Sequence, residues 1–222
     1  MYKHMLSSSD QGNYAPAFAA SRERLIKLTP HQIVESSLCR FNQEKSCFLL
    51  DSFGQTFEII YPEGDLSFAG QPEKIPLLEW RLPLLNYLSA AKPIPLTGEW
   101  VTYRDLPQGN VFYPSIRNFV LEPLARFYSG CNRKALVKGL KQLEFNFIDT
   151  KADLAVKGLF TPRIPMLVQF WEGEDEIPAS SQILFDSSAG SQMHIEDAAA
   201  ICTLVKTLIT GQHDHVLQEL GD

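Results

Sequence analysis

Residues 163–197 read RIPMLVQFWEGEDEIPASSQILFDSSAGSQMHIED. Two apolar runs, MLVQFW at 166–171 and QILF at 182–185, enclose an acidic loop, and a small-residue loop then opens a helix. Short apolar runs bounded by turn residues read as buried strands, and these two are the most continuous in the chain, so they belong at the centre of a sheet. The same stretch holds the charge. Between Ile164 and Val205 there are seven acids (Glu172, Glu174, Asp175, Glu176, Asp186, Glu196, Asp197) and no Lys or Arg. Removing seven from the total of 26 acids leaves 19 against 20 bases, so the net charge of -6 resides in this segment.

Helices and short strands surround this centre. Phe18, Arg22, Leu25 and Ile26 follow at helical spacing, and Thr29-Pro30-His31-Gln32 restarts a helix, to about Leu38, with a cap, a first-position proline and a closing glutamine. CFLL and QTFEIIY flank Asp51-Ser52-Phe53-Gly54, a hairpin pattern. Prolines 62, 72, 76 and 83 predict irregular or edge structure until Pro83 starts a helix at LLNYLSAA. Glu99 to Tyr103 alternate as a strand, and Ser115 to Tyr128 read as a helix that Pro123 must kink or end. Asn132 caps RKALVKGLKQL, FNFI and LAVKGLF read as strands, and Ile195 to Ile209 forms the last helix with Lys206 near its end. The sum is one α+β domain over 14–210, with a mixed or antiparallel sheet packed by helices, a frayed 1–13 and a tail at 211–222.

Composition excludes several classes. With 45% hydrophobic and 21% charged residues the chain is globular rather than disordered or fibrous. The negative balance argues against nucleic acid, whose affinity rests on clustered Lys and Arg. No apolar run approaches the roughly eighteen residues that cross a bilayer, so no membrane span is expected. The start of the chain lacks the basic flank and apolar core of a signal peptide, which predicts a cytoplasmic protein. Cys39, Cys47, Cys131 and Cys202 contain no C-x-x-C pair, which suits reduced thiols better than disulfides, structural zinc or an internal iron-sulfur cluster.

Three blocks, LLNYLSAAKPIPLTGEWVTYRDLPQGNVF, TPRIPMLVQFWEGEDEIPASSQILFDSSA and MHIEDAAAI, resemble a prokaryotic family of domains of unknown function found mostly in anaerobes. The resemblance spans roughly Tyr14 to Leu208. It implies that Trp100, Arg104, Trp171, Glu174, Asp175, Glu176, Pro178, Asp186, Glu196 and Asp197 stand at family-pattern positions. Some relatives carry a cysteine-rich segment of iron-sulfur type, which implies work near redox or corrinoid metabolism; this chain lacks that segment. No activity comes with the resemblance.

Candidate chemistry falls in four places. Glu174, Asp175 and Glu176 offer carboxylate oxygens to a cation, without the alternating ligands of an EF-hand loop; the plainer reading is a solvated hairpin tip. Asp186, His194 and Asp197 contain the residue types of a hydrolase or transferase site, with or without a divalent metal, yet Asp186 also suits a role satisfying loop amides and Asp197 suits a helix start. Cys131, before a helix and near Arg133 and Lys134, is a candidate nucleophile with His194 as its base. Trp100, Arg104 and Trp171, with Tyr103 and Phe112, can line a small-molecule pocket between the 98–109 stretch and the 171–178 loop. The leading expectation is a binding or accessory module for a small molecule or protein partner. No metal ligand set and no cofactor are assigned, and whether the chain is an enzyme stays open.

Overall fold

Two antiparallel sheets share one hydrophobic core in the computed structural model, which describes residues 2–7, 12–174 and 176–221. The chain enters through α1 (Ala15–Leu25) and α2 (Pro30–Ser37). Thr29 starts α2 as its sequence demands: Thr29 Oγ1 accepts from Gln32 N at 3.3 Å, and Gln32 Oε1 accepts from Thr29 N at 2.8 Å. A meander follows, β1 (Arg40–Asn42), β2 (Cys47–Ser52), β3 (Gln55–Ile60) and β4 (Leu66–Phe68), forming the four-stranded sheet in that order.

The β2–β3 turn consists of Phe53 and Gly54, both with positive φ, 45° and 71°, as a two-residue type I′ hairpin requires. An aromatic residue is an uncommon occupant of that conformation. Its neighbours hold it there: Phe53 N donates to Leu159 O at 2.9 Å, and the ring stacks on Phe145 at 5.3 Å. The turn thereby fastens the first sheet to the second. Behind the first sheet, α3 (Leu78–Ala90) buries Trp80 against Phe57 and Phe68, with Trp80 Nε1 donating to Ser52 Oγ at 2.8 Å.

The second sheet collects β5 (Trp100–Thr102), β6 (Asn146–Phe147), β7 (Leu154–Thr161), β8 (Ile164–Trp171) and β9 (Ser180–Asp186) in the order β5-β9-β8-β7-β6. The two apolar runs are therefore neighbours, with β8 central. Between β5 and β6 lie α4 (Gly109–Ile116), a wide π-helical turn over Arg117–Leu121, α5 (Glu122–Gly130) and α6 (Arg133–Gln142). Asn132 caps α6, its side chain accepting from Ala135 N at 3.1 Å. The long α7 (Ile195–Gly221) packs against α3 and α6. Among the described residues no helix is long and apolar enough to cross a membrane.

Two helix boundaries need correction. Helix α3 starts at Leu78, before Pro83, which sits inside it. A proline costs a helix interior about 3 kcal/mol, and the complete burial of Trp80, Leu84 and Leu85, each contributing about 1.5–3 kcal/mol, exceeds that. Helix α7 runs to Gly221 rather than stopping at Ile209, because Gln212, His213 and Val216 continue its buried stripe. Pro123 breaks the regular α-helix expected over 115–128 into a π-helical turn and a new α-helix that it enters in the first turn. The turn before it widens, Glu122 N bonding to Arg117 O, and the Phe119 carbonyl that the missing Pro123 N–H leaves unmatched accepts from Lys206 Nζ at 2.9 Å. Lys206 thus serves a neighbouring helix, not the end of its own.

Candidate functional site

The β8–β9 hairpin builds a cleft that holds two of the sequence candidates, Trp171 and Glu174. Its tip closes through paired backbone bonds, Glu174 N to Ile177 O at 3.0 Å and Ile177 N to Glu174 O at 2.7 Å. Gly173 permits the fold-back, since a Cβ there would stand 2.8 Å from Ala179 N and Ile177 O. At the base of the hairpin Glu172 N donates to Asp153 Oδ2 at 2.7 Å. These contacts shape a cleft of about 500 Å³ whose lining includes Asp153, Trp171, Glu172, Glu174, Ile177 and Gln182. Glu174 and Glu176 are exposed at the tip, and Trp171 is half-buried. Asp175 lies outside the described residues.

One wall is held by a chain of contacts that no local motif announces. Arg133 Nη2 donates to Glu172 Oε1 at 2.8 Å, and its guanidinium lies 3.5 Å from the centre of the Tyr128 ring. Tyr128 stacks in turn on Phe170 of β8 at 4.7 Å. Cys131 lies behind these contacts, its Sγ accepting from Arg133 Nη1 at 2.9 Å. Burial pushes the Cys131 thiol up, and the Arg133 cation opposes the shift without reversing it. The thiol form therefore dominates at neutral pH, against the activated nucleophile expected from position alone.

Register separates the remaining candidates from the cleft. Trp171 pairs with Ser180 at one end of β9, and Trp100 pairs with Asp186 at the other. Six residue steps along the strand, roughly 20 Å, separate them. Trp100 instead faces Lys157 across the outer sheet surface, 5.7 Å from ring centre to Nζ. Arg104 is exposed and bonded to Asn110 Oδ1 at 2.9 Å, Phe112 is largely exposed, and Tyr103 is buried with its hydroxyl on Ile195 O at 3.2 Å. The 98–109 stretch and the 171–178 loop thus stand at opposite ends of β9.

Asp186 and Asp197 are buried and engaged internally. Asp186 Oδ1 accepts from Thr97 N (3.1 Å), Thr97 Oγ1 (3.0 Å), Ser188 N (3.0 Å) and Ser188 Oγ (2.6 Å), while Oδ2 accepts from Gly98 N (2.7 Å). Burial alone would push this carboxyl up; the hydrogen bonds from Ser188, Thr97 and Gly98 overcome it and hold it at about 2. Asp197, in the first turn of α7, accepts from Asn86 Nδ2 at 2.8 Å through Oδ1, while its buried Oδ2 has no partner among the described residues. Burial pushes Asp197 up, and Asn86 and His194 oppose the shift without winning. His194 is exposed at the mouth of a separate cavity of about 130 Å³ beside Pro107 and Gly190. Among the described residues no three His, Cys, Asp or Glu side chains gather as a metal-holding group.

Comparison with known families matches residues 29–207 to a family described as Domain of unknown function (DUF3786). Comparison with curated proteins and with solved structures found no match.

Proposed function

Because the chain belongs to the DUF3786 family, a domain of unknown function spanning residues 29–207, we propose its role from its own geometry: a non-enzymatic binding module whose cleft beside Trp171 takes a small organic cation. The observation that carries this reading is Trp171 lining a concave surface together with Asp153, Glu172 and Glu174. Arg133 answers Glu172, whereas the Glu174 side chain has no partner among the described residues. An ammonium or guanidinium group seated there gains carboxylate oxygens on one side and an indole face on the other. A cation–π contact of that kind contributes about 0.5–2 kcal/mol. Ile177 and Pro178 supply apolar area for the carbon skeleton of the ligand.

A binding role is favoured over hydrolase or transferase chemistry because Asp186 spends both oxygens on loop amides and hydroxyls, and Asp197 is tied to Asn86 away from the cleft. A link to anaerobic redox metabolism remains part of this proposal, on the strength of the family resemblance.

Titration calorimetry and thermal shift with choline, putrescine and arginine test the reading. Saturable binding by at least one of them, raised melting temperature, and loss of both in Trp171→Ala and Glu174→Gln are expected. A flat response to all three overturns it.

A further inference from the structure

Away from the cleft, α4 and the wide turn after it expose apolar side chains that nothing in the fold covers. Val111 is 72% exposed, Phe112 39% and Phe119 69%. Val111, Ser115 and Phe119 follow at i, i+4 and i+8 and so share one helix face, with the small Ser115 between two large anchors. Cations outnumber acids around this face: Arg104, Arg117, Arg126 and Lys206 against Asp105 and Glu122. In a chain of net charge -6 this is a local reversal of sign.

The complementary surface is on the same molecule. Ile177 is 69% exposed at the hairpin tip, flanked by the exposed Glu172, Glu174 and Glu176. The tip is an apolar anchor in an acidic rim; the α4 face is an apolar surface in a basic rim. Ser181 Oγ donates to Leu121 O at 2.7 Å, which fastens β9, as it leaves the tip, to the end of the wide turn. The strand that leads from the tip is thereby joined to the turn that carries Phe119, and a two-fold axis can match each surface to its counterpart twice over.

We infer that the protein pairs with a second copy of itself, the Ile177 tip of each protomer seated on the Val111–Phe119 face of its partner. An apolar centre enclosed by opposite charges is the anatomy of a specific protein interface, and a reciprocal contact closes at two copies instead of propagating. The tip shares Ile177, Glu172 and Glu174 with the cleft, so the two readings are told apart at residues they do not share: Trp171→Ala removes the indole face alone, and Phe119→Glu removes the helix-face anchor alone.

Sedimentation velocity over a dilution series, at low and high salt, reads the outcome. A reversible dimer is expected, weakened by salt because its rim is ionic. Phe119→Glu and Ile177→Glu should each be monomeric with an unchanged melting temperature, since both side chains are exposed. Arg117→Glu should weaken the dimer roughly tenfold, and adding Glu174→Arg should restore it. A monomer at every concentration overturns the inference, as does a dimer indifferent to Phe119→Glu or an assembly that grows beyond two copies.

Discussion

Gly98 N donates to Asp186 Oδ2 at 2.7 Å, from a residue whose φ of 76° only glycine adopts at little cost. Through this bond and those to Thr97 and Ser188, one carboxylate fastens the irregular chain before β5 to the turn that precedes α7. Asp186→Asn would point an amide donor at one of those donors. A loss of about 2–3 kcal/mol follows from unmatched buried donors, measurable as a lowered urea midpoint with an unchanged slope. The sign of the pH dependence follows from the depressed value. The folded carboxyl is held at about 2, below an unfolded aspartate near 3.9, so about 2 kcal/mol of stability is present above pH 4 and lost as pH falls toward 2. The Asn variant should show no such loss in that window.

Asp197 predicts the opposite slope. Burial raises its carboxyl, so its contribution is fully present below the unfolded value near 3.9 and declines as pH rises through the folded one. The charged form costs stability at neutral pH because Oδ2 is buried without a partner among the described residues. Asp197→Asn keeps the acceptor for Asn86 and removes the charge; it should match or exceed wild-type stability at pH 7, by up to about 1 kcal/mol. Asp197→Ala leaves the Asn86 amide unpaired and should cost about 1–3 kcal/mol. Chemical denaturation of the three proteins at pH 4 and pH 7 separates these outcomes, and a wild-type stability that rises between the two pH values specifically through Asp197 contradicts the assignment.

Features encoded within a few residues were legible in the sequence. Thr29 and Gln32 announce their capping box, Phe53-Gly54 its hairpin, Asn132 its cap, and the apolar runs their place as β8 and β9. What escaped is set by long-range packing. The docking of one sheet on the other rests on the Phe53 turn seating on Leu159 and Phe145, about a hundred residues away in sequence. The acidic tip was visible as charge, but its cleft also needs Asp153 and Arg133, which lie 19 and 39 residues from Glu172. Trp100 and Trp171 looked alike as aromatics on strands, and only the register of β9 shows that they stand at opposite ends. Helix α7 continues past Ile209 because Gln212 and His213 meet α6 and its cap: Gln212 Nε2 donates to Gln142 Oε1 at 2.7 Å, and His213 Nε2 accepts from Asn132 N at 3.1 Å.

Two glycines should respond in opposite directions to alanine. Gly158 lies under the Phe145 ring, and a Cβ there would stand 2.5 Å from Cε1. That ring is itself clamped on Phe53, so it cannot withdraw cheaply, and Gly158→Ala should cost about 1–3 kcal/mol by overpacking. Gly130 ends α5 with nothing within 4 Å of its would-be Cβ and no positive φ. Gly130→Ala should stabilise by up to about 1 kcal/mol. Melting temperatures shifted down and up, respectively, bear this out; a neutral Gly158→Ala would place the strain elsewhere.

Cys131 offers a direct chemical check on the wall of the cleft. Cys39, Cys47 and Cys202 are buried, so alkylation of the folded protein reports on Cys131. Burial raises its thiol despite Arg133 Nη1 at 2.9 Å, and alkylating agents react with the thiolate. Iodoacetamide should therefore modify it more slowly than free cysteine at pH 7.5, with a rate that climbs only above the ordinary range near 8.5. Arg133→Ala removes the cation bonded to the Cys131 sulfur and should move that climb further up while loosening Glu172, which the same guanidinium holds. If cation binding in the cleft depends on the position of Glu172, affinity for the bound amine changes in the same variant, whereas Cys131→Ser leaves it intact. A Cys131 rate above that of free cysteine would restore the nucleophile reading and make the Arg133–Cys131 pair the first place to look for chemistry.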